Sequence, residues 1–206
     1  AIQRKKIVFD SHELFPEIPE LVTRPHVKKI WLTLEKSILP KLKNNYTVCN
    51  SIAHFYKNKY NIHFETVMNL PTKKEVEKGM FTFETTHKKI ILYQGAINIG
   101  RGLENLIETM KSLENHLLVI IGDGDLYKSL KETVSSEKLN NKVIFLGKIA
   151  PVELHKLTPL ADLGISLEED LGLNYRFALP NKIFDYIQAE VPILVSNLPE
   201  MSAIVK

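Results

Sequence analysis

The sequence predicts an α/β protein built on parallel sheets, and three observations support this prediction. Short apolar segments recur roughly every 25 residues in the second half, helical patterns separate them, and several of these segments end in glycine. Segments that are apolar throughout indicate strands buried on both faces, as in parallel sheets that helices cover on both sides. Alternating strands and helices of this kind indicate a doubly wound, Rossmann-like sheet with right-handed crossovers.

The first 71 residues carry a shorter version of the same pattern. Strands are predicted at 7–9, 47–49 and 64–68, with helices at 20–39 and 51–60 between them. We interpret residues 1–71 as the trailing part of a second Rossmann-like domain. Residues 72–89 are rich in lysine and show little periodicity, so we predict a linker there.

Residues 90–206 are predicted to form the main domain, which we expect to be incomplete at its C-terminal end. Its strands are predicted at 90–94, 117–121, 143–146, 163–167 and 193–196, and helices at 102–113 and 126–139. Gly95, Gly122 and Gly147 end three of the strands, where glycine lets the backbone turn sharply. Ligands bind at the carboxyl edge of open parallel sheets, so the loops after these strands are where we expect the site.

The composition excludes several classes of protein. Of the 206 residues, 44% are hydrophobic and 25% are charged, which is typical of a globular chain. Cys49 is the single cysteine, which excludes an internal disulfide framework and suits a reducing compartment. No apolar run approaches the roughly 18 residues of a membrane span, and the first residues do not resemble a signal peptide. We therefore expect a soluble, cytoplasmic protein.

The net charge of +3 is unevenly distributed. Residues 1–89 carry 16 lysines and arginines against 9 acidic residues, whereas residues 90–206 carry 11 against 15. A basic first half could face nucleic acid, an anionic membrane or an acidic substrate. The charges are scattered and no run of five occurs, which favours an ordinary solvated surface.

Residues 94–102 form a glycine-rich turn from a strand into a helix, with Arg101 at the start of the helix. Unpaired backbone N–H groups and the helix dipole favour an anion there, and an arginine can bind a diphosphate through two hydrogen bonds. The spacing matches neither G-x-G-x-x-G nor a P-loop. A structural turn with a surface arginine is therefore an equal alternative.

Residues 179–189, with the sequence LPNKIFDYIQA, predict a helix that begins at a proline turn. Lys182 and the N–H groups near Asn181 would lie at its positive end, and Asp185 would follow on the same face. A lysine that neutralises phosphate beside a carboxylate that accepts from ribose hydroxyls would bind a nucleotide sugar. A surface ion pair on the helix is the alternative.

Residues 10–14, DSHEL, follow the first predicted strand and place His12 between two carboxylates. A histidine at a strand end can act as a base or as a hydrogen-bond donor. The sequence has no H-E-x-x-H motif and no clustered cysteines, and its other histidines are scattered. We therefore predict no metal site.

Taken together, these segments resemble the glycosyltransferases of the family 4 type, also called group 1. In chain order, the matching pieces are DSHELFPE (10–17), TVCNSIAHFY (47–56), YQGAINIGRGLENLIE (93–108), VIIGDGDL (119–126), VIFLGKI (143–149) and LPNKIFDYIQAEVPILVS (179–196). The resemblance runs through nearly the whole chain, and its specificity lies in the order and number of the pieces. It implies the GT-B fold, in which two Rossmann-like domains face each other across a cleft.

The resemblance also implies an activity, which is transfer of a sugar from a UDP- or GDP-linked donor to an acceptor hydroxyl with retention of configuration. No cofactor or bound metal is expected. The acceptor would be a glycan or a lipid-linked sugar in polysaccharide or glycolipid synthesis, and nucleic acid is not an expected partner. Peripheral contact with the inner face of a membrane and a homodimer stay open.

Residue roles follow from the same resemblance. Arg101 and Lys182 would bind the donor diphosphate and stabilise the charge that develops on the leaving group. His12 would line the acceptor side near the reacting sugar. The other donor-binding positions are the phosphate-approaching backbone at Gly95 and Gly102, the helix start at Asn181 and the ribose-binding carboxylate of Asp185.

Three departures from the family pattern weaken the assignment of activity. Ala96 stands where the family usually has an arginine, and Phe177 stands where its first acidic-motif glutamate would be. Glu168, Glu169 or Asp170 could replace that glutamate. The chain is also shorter than usual members and resembles a piece of a longer enzyme, so we expect it to bind donor while transfer is weak or absent. A non-catalytic nucleotide-binding module, or a sugar-nucleotide epimerase or phosphorylase on the same fold, are the alternatives.

Overall fold

The structure is a computed structural model that describes residues 5–18, 21, 24–73 and 75–205. It contains two parallel sheets in succession along the chain. Between them, the described part of residues 67–88 forms neither helix nor strand. The α/β fold class with parallel, Rossmann-like sheets is thereby confirmed, while the division into 1–71, 72–89 and 90–206 stays a prediction.

The first sheet consists of three parallel strands in sequence order, β1 (Val8–Ser11), β2 (Asn44–Thr47) and β3 (Glu65–Thr66). The connecting helices are α1 (Pro25–Ile38) and α2 (Asn50–Tyr60). Strand β2 begins three residues and ends two residues earlier than predicted, and Cys49 at its predicted end is the N-cap of α2. The predicted start of the first helix at Glu20 lies outside the described residues, and the described α1 begins at Pro25, a residue that favours the first helical position.

The second sheet has five parallel strands, β4 (Lys89–Gln94), β5 (His116–Ile121), β6 (Val143–Gly147), β7 (Leu163–Ser166) and β8 (Ile193–Val195). Its helices are α3 (Leu103–Thr109), α4 (Tyr127–Ser136), α5 (Pro151–Leu157), α6 (Leu173–Arg176), α7 (Asn181–Gln188) and α8 (Pro199–Val205). The strand order is β6-β5-β4-β7-β8, so the chain builds outward from β4 on one side and then crosses to β7 on the other. Ligands bind in open sheets at this reversal of order, which places the expected crevice after β4 and β7.

Alternation along β4 and β5 produces an apolar core on each face of this sheet. Tyr93 and Ile120 point to one buried cluster, whereas Leu92 and Val119 point to the other. Helices on both sides cover these clusters, which is why the strands read as continuous apolar segments. Helices α3 and α4 end earlier than predicted, and Asn115 and Lys138 in the turns that follow them have positive φ.

Glycines at the ends of β4, β5 and β6 let three strand ends approach closely. The Gly95 N–H donates to the Ile121 carbonyl at 2.9 Å, and the Gly122 N–H donates to the Gly147 carbonyl at 2.9 Å. All three glycines have positive φ. The predicted sharp turns at the carboxyl edge are therefore present.

Candidate functional site

A buried carboxylate binds two cations at the crevice between β4 and β7. The Glu168 side chain is fully buried, and its Oε1 atom lies 3.0 Å from Lys182 Nζ and 3.4 Å from Arg101 Nη1. The hydroxyl of Ser166 donates to the second carboxylate oxygen at 2.7 Å. One anion and two cations give the cluster a formal charge of +1, which suits a negatively charged ligand.

Local backbone geometry explains how these side chains meet. Ser166 ends β7 and Glu168 follows two residues later, a spacing that places both on the same face of an extended chain. Lys182 is the second residue of α7, directly after the turn at Pro180. Glu168 and Lys182 therefore both come from the crossover between β7 and β8, and Arg101 comes from the turn after β4.

Arg101 lies between two glycines with positive φ, Gly100 and Gly102. A Cβ atom on Gly102 would lie 2.5 Å from the Leu167 carbonyl oxygen, so glycine is needed here for packing of the turn against the segment after β7. The close approach that the structure requires at Gly102 is thus to Leu167. A role of Gly102 toward phosphate stays a prediction.

Aromatic rings lie under both cations. Lys182 Nζ stands 4.1 Å from the centre of the Tyr93 ring, and the Arg101 guanidinium lies 5.3 Å from that of Tyr175. Such cation–π contacts restrain the two side chains and do not neutralise their positive charge. The Nε atom of Arg101 is buried and makes no hydrogen bond to the part of the chain that the structure describes.

The electrostatic environment shifts the pKa of both buried partners. Burial alone would raise the pKa of Glu168, but the charge of Lys182 and the hydrogen bonds from Ser166 and Lys182 outweigh it and hold that pKa below its usual value. Burial lowers the pKa of Lys182, the charge and hydrogen bond of Glu168 raise it, and Arg101 lowers it; the net shift is downward. Glu168 is therefore the group that opposes the deprotonation of Lys182.

Arg101 and Lys182 border a cleft of about 280 Å³ that His12 also lines. The cleft lies between the two sheets, and the segment after β7 joins them across it. The side-chain oxygen of Asn174 accepts a hydrogen bond from the Leu14 N–H at 2.9 Å. The three residues predicted as catalytic thus share one cleft, although their roles stay predictions.

His12 is half exposed and has partners on both ring nitrogens. Its Nε2 atom lies 2.8 Å from a carboxylate oxygen of Asp10, to which the Tyr46 hydroxyl also donates, and its Nδ1 atom lies 3.3 Å from the Asn69 amide. In the neutral ring, Nε2–H donates to Asp10 and Nδ1 accepts from Asn69. This arrangement fixes the ring at the side of the cleft formed by the segment after β1.

The remaining predicted residues lie around this cleft rather than in its lining. Gly95 lines a neighbouring cavity of about 450 Å³ together with Gly122 and Lys148. Asp185 accepts a hydrogen bond from Gln94 Nε2 at 3.1 Å and lines a third cavity of about 310 Å³, beside the linker. Asn181 is exposed at the first turn of α7.

Sequence reasoning left Glu168 as one of three candidate carboxylates, and the structure separates them. Asp170 forms an ion pair with Arg176, and the Glu169 N–H donates to the Gly100 carbonyl. Only Glu168 of the three contacts both Arg101 and Lys182 among the described residues. The spacing of Ser166 and Glu168 at a strand end does not by itself distinguish Glu168, because Glu169 and Asp170 follow directly. No sequence pattern indicated that Tyr93 and Tyr175 contact the two cations, because a tyrosine in a buried strand or loop is ordinarily part of a core.

The described residues contain neither a group of metal ligands nor a membrane-spanning helix. No three histidine, cysteine, aspartate or glutamate side chains among them come together as ligands for a metal ion. No helix within the same part of the chain has the length and apolar character needed to cross a membrane.

The chain is similar in sequence to known glycosyltransferases. The model of the family described as glycosyl transferases group 1 matches residues 78–206, which is more than half of the chain. A chitobiosyldiphosphodolichol beta-mannosyltransferase of Candida albicans is 25% identical over 228 residues, covering 98% of this chain and 49% of that protein. An uncharacterized glycosyltransferase of Methanocaldococcus jannaschii is 32% identical over 124 residues, covering 58% of this chain and 30% of that protein.

A solved structure extends the similarity to the whole chain. The Anabaena protein HepE, crystallised with UDP and glucose, superposes with a TM-score of 0.74 over 100% of this chain and 56% of its own, at 14% identity. This likeness concerns the fold. The chain spans about half the length, or less, of the curated relatives that it matches.

Proposed function

The chain belongs to the group 1 glycosyl transferases, as the sequence predicted, and from this premise we propose that it binds a nucleotide sugar in the crevice between β4 and β7. The observation that carries the proposal is the meeting of Arg101 and Lys182 on the single carboxylate of Glu168. The negative charge of a diphosphate would offset the net positive charge of this cluster. Charge-assisted hydrogen bonds from such cations are among the stronger polar interactions in proteins.

The proposed chemistry is transfer of the sugar to an acceptor hydroxyl. The bond between the sugar C1 and the diphosphate oxygen breaks, a bond from C1 to the acceptor oxygen forms, and the proton of the acceptor hydroxyl passes to the oxygen of the departing nucleoside diphosphate. Negative charge grows on the leaving phosphate, where Arg101 and Lys182 would stabilise it. No metal ion or cofactor enters the proposed reaction.

Retention of anomeric configuration is part of this proposal. Inversion needs a base that takes the acceptor proton on the face opposite the leaving group. Both ring nitrogens of His12 already have partners, Asp10 and Asn69, so His12 does not fit the role of the base that inversion would need.

The neighbouring cavities suggest where the nucleoside would lie. The 450 Å³ cavity contains Gly95, Gly122 and Lys148 at the carboxyl edge of β4 to β6, next to the phosphate-binding cations. We place the base there. Asp185 accepts a hydrogen bond from Gln94 at the end of β4, and its hydrogen bonds to the ribose hydroxyls remain part of the proposal.

A lipid-linked acceptor is the acceptor class that the structure favours. An apolar cavity of about 390 Å³ lies between β1 and α1, with Trp31 and Leu34 in its wall, and His12 and Glu13 line both this cavity and the donor cleft. We propose that the hydrocarbon chain of a diphosphate-linked lipid occupies it. The relative from Candida albicans, which matches 98% of this chain, carries diphosphodolichol in its name.

Nucleotide binding is the first test of the proposal, because binding does not require that this chain complete the transfer. Thermal unfolding is measured with UDP, GDP, ADP and CMP and with their sugars. A ligand at about 100 times its dissociation constant adds about 2.7 kcal/mol, which raises the unfolding midpoint by roughly 5 to 10 °C. We expect such a shift with one nucleotide family, and no shift with any nucleotide would contradict the proposal.

Product analysis with the donor that binds separates the alternatives. Sugar transferred to a lipid-linked acceptor, but not to the same sugar without lipid, supports the lipid-linked class, and NMR of the product reports retention or inversion. Change of the donor sugar without any acceptor indicates an epimerase instead. Binding without any chemical change indicates a non-catalytic module, if a version of the chain extended to the length of its relatives also gives no product.

A further inference from the structure

We propose that Glu168 is a positioning residue that keeps Lys182 protonated and directed at the cleft, so that the donor diphosphate meets a charged lysine. This inference rests on the proposed function and adds a role for a residue outside the family's acidic motif. Glu168 itself has no exposed side-chain area, so it acts through Lys182 and Arg101 rather than on the donor.

The surroundings of Lys182 make such a partner necessary. Its side chain is only 9% exposed and stands over the Tyr93 ring, and burial of this kind disfavours an ammonium group. Arg101 adds a like charge, because its Nη1 atom contacts the same carboxylate oxygen of Glu168. Without an anion beside it, the pKa of a lysine in this position would fall further, and the charge that binds phosphate would be less stable.

The other ionisable groups around the site do not replace Glu168. Burial raises the pKa of Tyr93 on β4 and of Tyr186 on α7, so both stay neutral. Asp185 lies on the same helix as Lys182 but bonds Gln94 and lines a different cavity. His12 and Glu13 line the far side of the cleft, where His12 is bonded to Asp10 and Glu13 accepts from Asn174.

Glu168 is also held in place for this task. Ser166 donates to the carboxylate oxygen that faces away from the cations, and the Ser166 side chain is buried as well. A carboxylate fixed at one oxygen presents the other one to Lys182 and Arg101. The cations are thus arranged before the donor arrives, which lowers the cost of ordering them on binding.

The test compares the pH dependence of donor binding in the wild type and in Glu168→Gln. Dissociation constants for UDP-glucose and GDP-mannose are measured from pH 5.5 to 9.5. Loss of Glu168 removes the interactions that raise the pKa of Lys182, while burial and Arg101 still lower it. We therefore expect the pH above which affinity falls to move down by about one to three units.

The matched control is Glu169→Gln, which removes a neighbouring carboxylate for which the described residues show no ion pair. Its pH profile should follow the wild type. Glu168→Asp keeps the charge at a greater distance, so its profile should shift in the same direction by less, and it serves as the test if Glu168→Gln fails to fold. Profiles that coincide in all variants would overturn the role of Glu168 while leaving the proposed function intact.

A wild type that binds neither donor nor any nucleotide would instead remove the proposed function, and the role of Glu168 with it. A uniform loss of affinity at every pH, without a displaced midpoint, would also overturn the inference. That result would show a structural effect on the cleft rather than control of the charge on Lys182.

Discussion

Replacing Lys182 with methionine should weaken the binding of the nucleotide sugar by about 100-fold. Methionine keeps the length and the apolar part of the side chain but removes the charge. A hydrogen bond to a charged group contributes about 1.5 to 3 kcal/mol, which corresponds to roughly 10- to 150-fold in affinity. The buried Glu168 carboxylate would in addition lose its nearer cation and repel the incoming phosphate.

The same substitution leaves a buried carboxylate with only Arg101 as its cation, and this costs stability. The double variant Lys182→Met with Glu168→Gln removes both charges and should fold more readily, while its donor affinity stays low. Lys128→Met on the exposed side of α4 is the matched control and should bind donor like the wild type. Isothermal titration calorimetry measures all four proteins, and wild-type affinity in Lys182→Met would contradict the site.

Replacing Gly122 with alanine should destabilise the protein by about 4 kcal/mol or more, the largest effect on stability that we predict. The new Cβ atom would lie 1.8 Å from the Gly95 carbonyl oxygen, and Gly122 has a φ of +147°. Backbone atoms on both sides cannot move away without breaking the hydrogen bonds that join the ends of β4, β5 and β6. A loss of this size is a large part of the 5 to 15 kcal/mol of a typical domain.

Gly147→Ala is the control for this prediction, because the two glycines share a positive φ but not the close approach. An added Cβ at Gly147 meets only the Tyr127 hydroxyl at 3.8 Å, so the cost is that of the backbone conformation, about 1 to 2 kcal/mol. Urea unfolding gives both values. Equal stabilities of the two variants would show that the strand ends do not meet as closely as the structure has them.

The fold could be predicted from the sequence because its signals are local and repeated. Continuous apolar segments and glycines at 95, 122 and 147 follow directly from a sheet that is buried on both faces and turns sharply at one edge. The predicted bounds of strands and helices were less accurate where helix caps and turns determine them. Strand β2, predicted at 47–49, already ends at Thr47, because Cys49 is the N-cap of α2.

The site was only partly predictable for the opposite reason, since its contacts join distant parts of the chain. Arg101 was identified in a glycine-rich turn after a strand, and Lys182 at the start of a helix that begins at a proline turn. The choice of Glu168 over its two acidic neighbours depends on how the segment after β7 folds back on Gly102, which no local pattern records. The placement of Asp185 on a separate cavity depends likewise on packing against the linker and α5.

Mapping of backbone amide shifts in the labelled chain tests most directly whether the donor binds between β4 and β7. UDP-glucose and GDP-mannose are each added until the NMR shifts saturate. We predict that the saturating shifts concentrate at residues 95–102 and 166–185, around Arg101, Glu168 and Lys182. Saturating shifts confined to other parts of the chain, with both of these segments unchanged, would contradict the account.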